Sequence, residues 1–251
     1  MDKVLLLDVE TTGLTPGVDR ITELGMMVTS LDFKEVFQQY NKLLYDTDYP
    51  EIPKEVEEIT GISTDMLQGQ GIKPWLAMED FNSMRFVHNC KYVVAYNAPF
   101  DKSFVAAELA RSNTVNAPRW LCAMTDTPAH KKCKSWKLMH VALDHGVAVD
   151  PSELHRAIND VELMRKMLVA AGETADSMYM YSTIPHIYEA ADVRKPWEDG
   201  GDSSTKAKTH GFTFEKVRGE EKIFNKTWVK KIKENEYRRE DYPFMTKIIG
   251  G

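Results

Sequence analysis

Residues 7–14 read Leu-Asp-Val-Glu-Thr-Thr-Gly-Leu (LDVETTGL), directly after the apolar residues Val4, Leu5 and Leu6. The apolar run predicts a strand, and strand side chains alternate with a period of two, so Asp8 and Glu10 leave its end from one face. Two like charges side by side repel. A divalent cation between them relieves the repulsion, which makes the pair a candidate metal site. Two solvated acids at a strand end fit the same spacing, and this stretch alone leaves both readings open.

From this strand the chain continues as an antiparallel meander. Residues 4–10 form its first strand, the turn at Thr15, Pro16 and Gly17 leads to a second over 21–30, and 35–45 supplies a third. The pattern then turns helical. Pro53 starts a short helix that Gly61 ends, Ser63 caps another, and residues 75–89 place Trp75, Met78, Phe81, Met84 and Phe86 at helical spacing as core. Residues 92–96 are apolar without alternation, which predicts a strand covered on both faces and central in the sheet. It runs into Asn97 and Asp101, before a helix over 104–110, and so places both in the crevice at a strand's carboxyl end. A short strand over 120–125 follows, then a helix capped by Ser135 and stopped by Gly146. Beyond the loop at Asp150 and Pro151, Val161, Met164, Met167 and Leu168 form an apolar helical stripe, and another helix over 175–181 closes the body.

Size and composition set the frame for these elements. The 251 residues, 43% hydrophobic and 10% aromatic, suit one enzyme-sized domain with a small appendage. The N-terminus lacks an apolar signal region and no apolar run reaches the roughly 18 to 20 residues that span a bilayer, so a soluble, cytoplasmic protein is expected. Cys90, Cys122 and Cys133 show no CxxC spacing and read as packing residues rather than disulfide partners or zinc ligands. The net charge of -6 is unevenly spread: residues 192–251 carry 14 Lys/Arg against 11 Asp/Glu, the first 191 carry 18 against 27. The division expected is a body over 1–190, a Pro/Gly/Ser-rich linker over 191–204, and a small basic and aromatic module over 205–251. A hairpin over 211–214 and 223–232 carries Phe212, Phe214, Phe224 and Trp228 among lysines. Those aromatics serve either as stacking platforms for bases or as the module's core.

Asp8 and Glu10, Asp101, and the run His155-Arg156-Ala157-Ile158-Asn159-Asp160 put four acids and a histidine in three elements, in the order D-x-E, D, H-x-x-x-x-D. In these three motifs, LDVETTGL, AYNAPFD (95–101) and HRAIND (155–160), the chain resembles the DEDDh family of 3′-5′ exonucleases. The segments ITELG (21–25) and EVEEITGIS (55–63) are similar to the family's intervening stretches, and the resemblance covers about the first 170 residues. It implies an α/β, ribonuclease H-like fold: a mixed sheet of three antiparallel strands plus parallel strands, flanked by helices, with a small C-terminal α+β appendage beyond it. It also implies two Mg²⁺ ions, for which Mn²⁺ can substitute. Asp8 would bridge both, Glu10 and Asp160 would complete the coordination, and Asp101 would bind one ion directly or through water. Carboxylates suit such hard ions. His155 would be the general base: an imidazole titrates near 6.5 and takes a proton readily at neutral pH, whereas a Tyr there would mark the sister DEDDy branch. The backbone from Glu10 through Thr11 and Thr12 would meet the terminal nucleotide, Leu14 would wedge against its base, and Asn97 and Phe100 would line the pocket. Thr11, Thr12 and Gly13 fit a plain tight turn equally well. The implied substrate is the 3′ end of single-stranded or frayed DNA, and the implied partner a replication polymerase. RNA as substrate, or a non-catalytic polymerase accessory role, are the alternatives.

Overall fold

The alternating and continuous apolar runs fold as strands where the sequence places them. A computed structural model describes residues 2–112, 118–129, 133, 135–192, 202–218, 223–237 and 242–249. The chain divides into two units, Met1–Ser182 and Thr183–Gly251. In the first, β1 (Lys3–Thr11), β2 (Ile21–Ser30) and β3 (Val36–Leu43) form the antiparallel meander. Helices α1 (Lys54–Thr60), α2 (Thr64–Gln70) and α3 (Pro74–Val87) follow. Gly61 ends α1 at φ 68°, a left-handed conformation that glycine adopts without a Cβ clash, and the Ser63 hydroxyl accepts the Met66 N–H to cap α2.

Strand β4 (Cys90–Ala95) then lies parallel to β1, helix α4 (Ala98–Arg111) follows it, and β5 (Trp120–Cys122) lies parallel to β4. Helices α5 (Leu138–Asp144), α6 (Ala157–Ala170) and α7 (Ala175–Ser182) complete the unit. The sheet order is β3-β2-β1-β4-β5, the expected mixed sheet. Strand β1 is buried on both sides. Val4 and Leu6 pack with Val161, Met164 and Leu168 of α6, whereas Leu5 and Leu7 pack with Phe81 of α3 and Phe104 of α4. Each such side chain contributes about 1.5–3 kcal/mol, so the strand that ends in Asp8 and Glu10 is held firmly.

Several boundaries differ from expectation. Helix α4 begins at Ala98 rather than residue 104, because Pro99 fits a first helical turn where no N–H is needed. Asp101 therefore lies inside that first turn. Helix α5 begins at Leu138; the Ser135 hydroxyl accepts the Lys137 N–H at 3.3 Å and shapes the turn before it. In α3, Met78, Phe81 and Met84 are buried, but Trp75 and Phe86, placed in the core by their spacing, are 47% and 69% exposed.

The second unit is a four-stranded antiparallel sheet. It comprises β6 (His186–Asp192), α8 (Asp202–Thr209), β7 (Thr213–Arg218), β8 (Ile223–Lys233) and β9 (Met245–Ile248), in strand order β7-β8-β6-β9. The expected hairpin is β7 with β8. The two units divide at Ser182, where the sequence places the boundary at 190, and β6 pairs with β8 and β9. Of the expected linker, residues 193–201 lie outside the described residues and 202–204 open α8. Phe212 and Trp228 are buried beside Ala191 and Ala207, which settles these two aromatics as core; the Phe224 side chain lies outside the described residues. No described helix is long and apolar enough to cross a membrane.

The two faces of α3 separate in a stability measurement. Phe81→Ala should cost about 3–5 kcal/mol through the cavity it leaves, and Phe86→Ala less than about 0.5 kcal/mol, read from urea unfolding midpoints. Equal losses would contradict the packing described.

Candidate active site

Three elements deliver the acids. Asp8 and Glu10 come from the end of β1, Asp101 from the first turn of α4 and Asp160 from the first turn of α6. Carboxylate oxygens of Asp8, Glu10 and Asp160 lie within 4.8 Å of one another. Asp101 joins them across the β1 edge, its Oδ1 accepting the Val9 N–H at 3.2 Å. All four line one open cleft of about 200 Å³ together with Asn97 and Phe100.

Burial and mutual repulsion resist ionisation here. Burial, then the charges of Asp101, Asp160, Glu10 and Glu23, raises the Asp8 carboxyl well above its usual value. Burial, with Asp160 next, pushes Glu10 up to about 8. Burial pushes Asp101 up to about 7, against hydrogen bonds from its own N–H and that of Val9. Asp160 is also raised by burial, partly offset by the His155 charge and the His155 N–H. A cluster of buried oxygen donors whose ionisation burial opposes fits a hard divalent ion, which favours their charged forms.

His155 stands exposed just before α6, at a backbone φ of 62°. That left-handed conformation is uncommon outside glycine and persists where neighbours over-determine it. Here the neighbours are visible: the His155 N–H donates to Asp160, and Arg156 next in line is tied to β2. Arg156 donates from Nη2 to Glu23 Oε1 at 2.7 Å and from Nε to Oε2 at 3.1 Å, and the Ala157 N–H reaches Oε2 at 3.0 Å. Burial acts to raise Glu23, but these bonds and one from Asn41 outweigh it and hold the carboxylate below its usual range. Gly25 lets α6 approach, since a Cβ there would lie 2.5 Å from the Ala157 carbonyl carbon. Glu23, Gly25 and Arg156 carry no role in the sequence reading. The available signal was an acid inside a strand buried along its length.

The remaining expected contacts divide. Thr11 and Thr12 are buried and committed to the turn: the Thr11 hydroxyl donates to the Gly13 carbonyl at 2.6 Å, and Thr12 Oγ1 accepts the Arg20 N–H at 3.0 Å. Leu14 is 82% exposed at the tip of that turn. The Thr15 N–H donates to Asp19 at 2.8 Å and Arg111 donates to the Gly17 carbonyl at 2.8 Å, so the apolar tip sits on a tied loop.

Comparison with known proteins places this geometry. Residues 5–168 match the exonuclease family RNase_T. The DNA polymerase III subunit epsilon of Treponema pallidum is 30% identical over 169 residues, which cover 64% of this chain and 72% of that protein. The PolC-type DNA polymerase III of Thermotoga petrophila is 29% identical over 168 residues; the match covers 66% of this chain but only 11% of that polymerase. Among solved structures, the zinc-bound complex of E. coli exonuclease I with single-stranded DNA aligns at a TM-score of 0.63 with 16% identity, over 76% of this chain and 48% of that one. Its complex with a dA16 oligonucleotide aligns at 0.62 with 15% identity, over 76% of this chain and 48% of that one. Likeness at this identity concerns the fold, which is ribonuclease H-like.

The raised carboxyls carry a pH signature. Glu10 and Asp101 keep protons up to about 8 and about 7 in the folded chain, against 4.5 and 3.8 ordinarily. The folded state thus binds more protons than the unfolded one, and metal-free stability falls as pH rises from about 4 to about 8. Asp8→Asn should raise the metal-free melting temperature at pH 8 by at least about 2 °C. A lower melting temperature would mean the cluster is not repulsive.

Proposed function

The chain belongs to the exonuclease family RNase_T, and on that premise we propose that it removes nucleoside monophosphates from the 3′ end of single-stranded or frayed DNA. The observation that carries this reading is the convergence of four carboxylates on one cleft, with His155 beside Asp160. The family depends on divalent metal, and the donor set, all carboxylate oxygen, favours Mg²⁺ with Mn²⁺ as a substitute. Bound there, two divalent ions would lower the pKa of the attacking water and neutralise charge that builds on the scissile phosphate.

The chain's own groups do the rest. Asp8, Glu10, Asp101 and Asp160 would hold such ions. His155, exposed and held by its backbone to Asp160, takes the proton from the attacking water as general base. Glu23 and Arg156 orient the His155 segment without touching substrate. Leu14 presses on the terminal base, while Asn97 and Phe100 bound the same nucleotide. The carbonyls and N–H groups of residues 10–12 face it, with the Thr11 and Thr12 hydroxyls spent on the turn.

The unit over residues 1–182 is the exonuclease domain in this reading, and the second unit is an accessory module. The Treponema pallidum and Thermotoga petrophila relatives are DNA polymerase III proteins. That supports DNA over RNA as substrate and a polymerase as partner.

A time course on strands labelled at either end, with Mg²⁺, tests the proposal. Products should shorten from the 3′ end, on DNA faster than on a matched RNA. Asp8→Asn should abolish hydrolysis, and His155→Ala should slow it by about 10² to 10⁴ while Mn²⁺ binding survives. Hydrolysis by Asp8→Asn at the wild-type rate sinks the mechanism. Faster digestion of RNA moves the enzyme to the exoribonuclease reading.

A further inference from the structure

Leu14 and Val18, 82% and 74% exposed, stand in water on the loop over residues 12–19, which joins β1 to β2. Connecting loops are ordinarily the more mobile parts of a chain. This one is braced. Thr12 and Arg20 close its base: the Thr12 N–H donates to the Arg20 carbonyl at 2.9 Å, and the Arg20 N–H donates to Thr12 Oγ1 at 3.0 Å. Within the loop the Asp19 N–H donates to the Thr15 carbonyl at 2.8 Å, and the Asp19 carboxylate accepts the Thr15 N–H at 2.8 Å.

The outer brace comes from α4. Glu108 follows Asp101 by two turns on the same face of that helix, about 10 Å further on. It is buried, and its carboxylate accepts from Arg20 Nε at 2.9 Å and from Arg20 Nη2 at 3.3 Å. Arg20 is buried as well, donating from Nη1 to Asp48 at 2.8 Å with its guanidinium 4.2 Å over the Tyr49 ring. Arg111, one turn after Glu108, donates from Nη1 to Glu108 Oε1 at 2.9 Å and from Nη2 to the Gly17 carbonyl at 2.8 Å. One guanidinium thus spans from a buried carboxylate to the loop. A planar fork with fixed donor directions holds both partners at once, which the compact ammonium of a lysine does not. A buried ion pair often adds little net stability over apolar packing of the same volume, and what it fixes here is position.

We propose that Arg111, held by Glu108, is a positioning residue: it fixes the loop over 12–19 so that Leu14 meets the 3′-terminal nucleotide at a set distance from the carboxylate cleft. The assignment rests on the exonuclease reading of that cleft. Helix α4 carries Asp101 in its first turn and Arg111 at its end, so one rigid element references both the acids and the apolar tip. A loop ordered before the strand arrives loses no binding energy to ordering. Arg111 touches neither strand nor ion, and its effect on the strand passes through Leu14.

The test is a double-variant cycle on the full chain. Binding of a short 5′-fluorescein oligothymidylate is read by anisotropy in Ca²⁺, beside steady-state hydrolysis in Mg²⁺. Arg111→Met leaves the Arg20–Glu108 pair in place. It should weaken binding about 5- to 30-fold, the size of re-ordering one residue of backbone. KM should rise by a similar factor while kcat stays within about 3-fold, because the carboxylates are untouched. Leu14→Ala should weaken binding too, and adding Arg111→Met to it should cost no more than about 2-fold further. The proposal is overturned if either single variant binds like wild type, if kcat falls as far as KM rises, or if the two losses multiply in full, as for a residue that only stabilises the fold. Coupled binding losses in a chain that hydrolyses no strand would sink the exonuclease reading and leave the loop assignment standing. Hydrolysis with unchanged KM in Arg111→Met would do the reverse.

Discussion

Asp8, Glu10, Asp101 and Asp160 are four acids drawn from three elements into one cleft, and their mutual repulsion is the constraint under which the rest of the first unit is built. Nothing local favours this gathering: burial pushes the Asp8, Glu10 and Asp101 carboxyls toward their protonated forms, and neighbouring charge adds to it at Asp8 and Glu10. The fold tolerates it because the acids stand at the ends of elements whose apolar faces are fully used. Strand β1 is covered on both faces, by α6 on one side and by α3 and α4 on the other. Helix starts supply part of the compensation, since Asp101 and Asp160 each lie in a first turn where backbone N–H groups favour negative charge.

A second, hidden charge pair keeps the third motif in register. Glu10 and Glu23 are directly opposite each other across β1 and β2, an unfavourable pairing unless one is neutralised. Arg156 neutralises Glu23, and in doing so ties the start of α6 to the sheet. Gly25, two residues on, removes the side chain that would hold the helix off. His155 and Asp160 flank that anchor, so the strained backbone at His155 is a consequence of how α6 docks.

Much of this was readable in the residues, and the unread parts have physical causes. D-x-E at the end of an apolar run fixes which face two carboxylates share, and the uninterrupted apolar stretch before Asn97 marks a central strand. Helical spacing misplaced Trp75 and Phe86, since a stripe with a period of 3.6 is wider than the surface α3 has to cover. Strand β6 went unseen because its Ala190 and Ala191 are small, and it exists only through pairing with residues some 40 and 55 positions later. Glu23 escaped notice because its partner lies 133 residues away.

The most direct test of the central claim is proton release on metal binding. Titrating Mg²⁺ or Mn²⁺ into the chain by calorimetry near pH 7, in buffers of different ionisation enthalpy, counts the protons displaced. Because Glu10 and Asp101 hold protons up to about 8 and about 7, binding should expel protons at pH 7, and the apparent affinity should strengthen as pH rises toward 8. A buffer-independent heat, with affinity flat across that range, would contradict the account of a repulsive carboxylate cluster that a divalent ion neutralises.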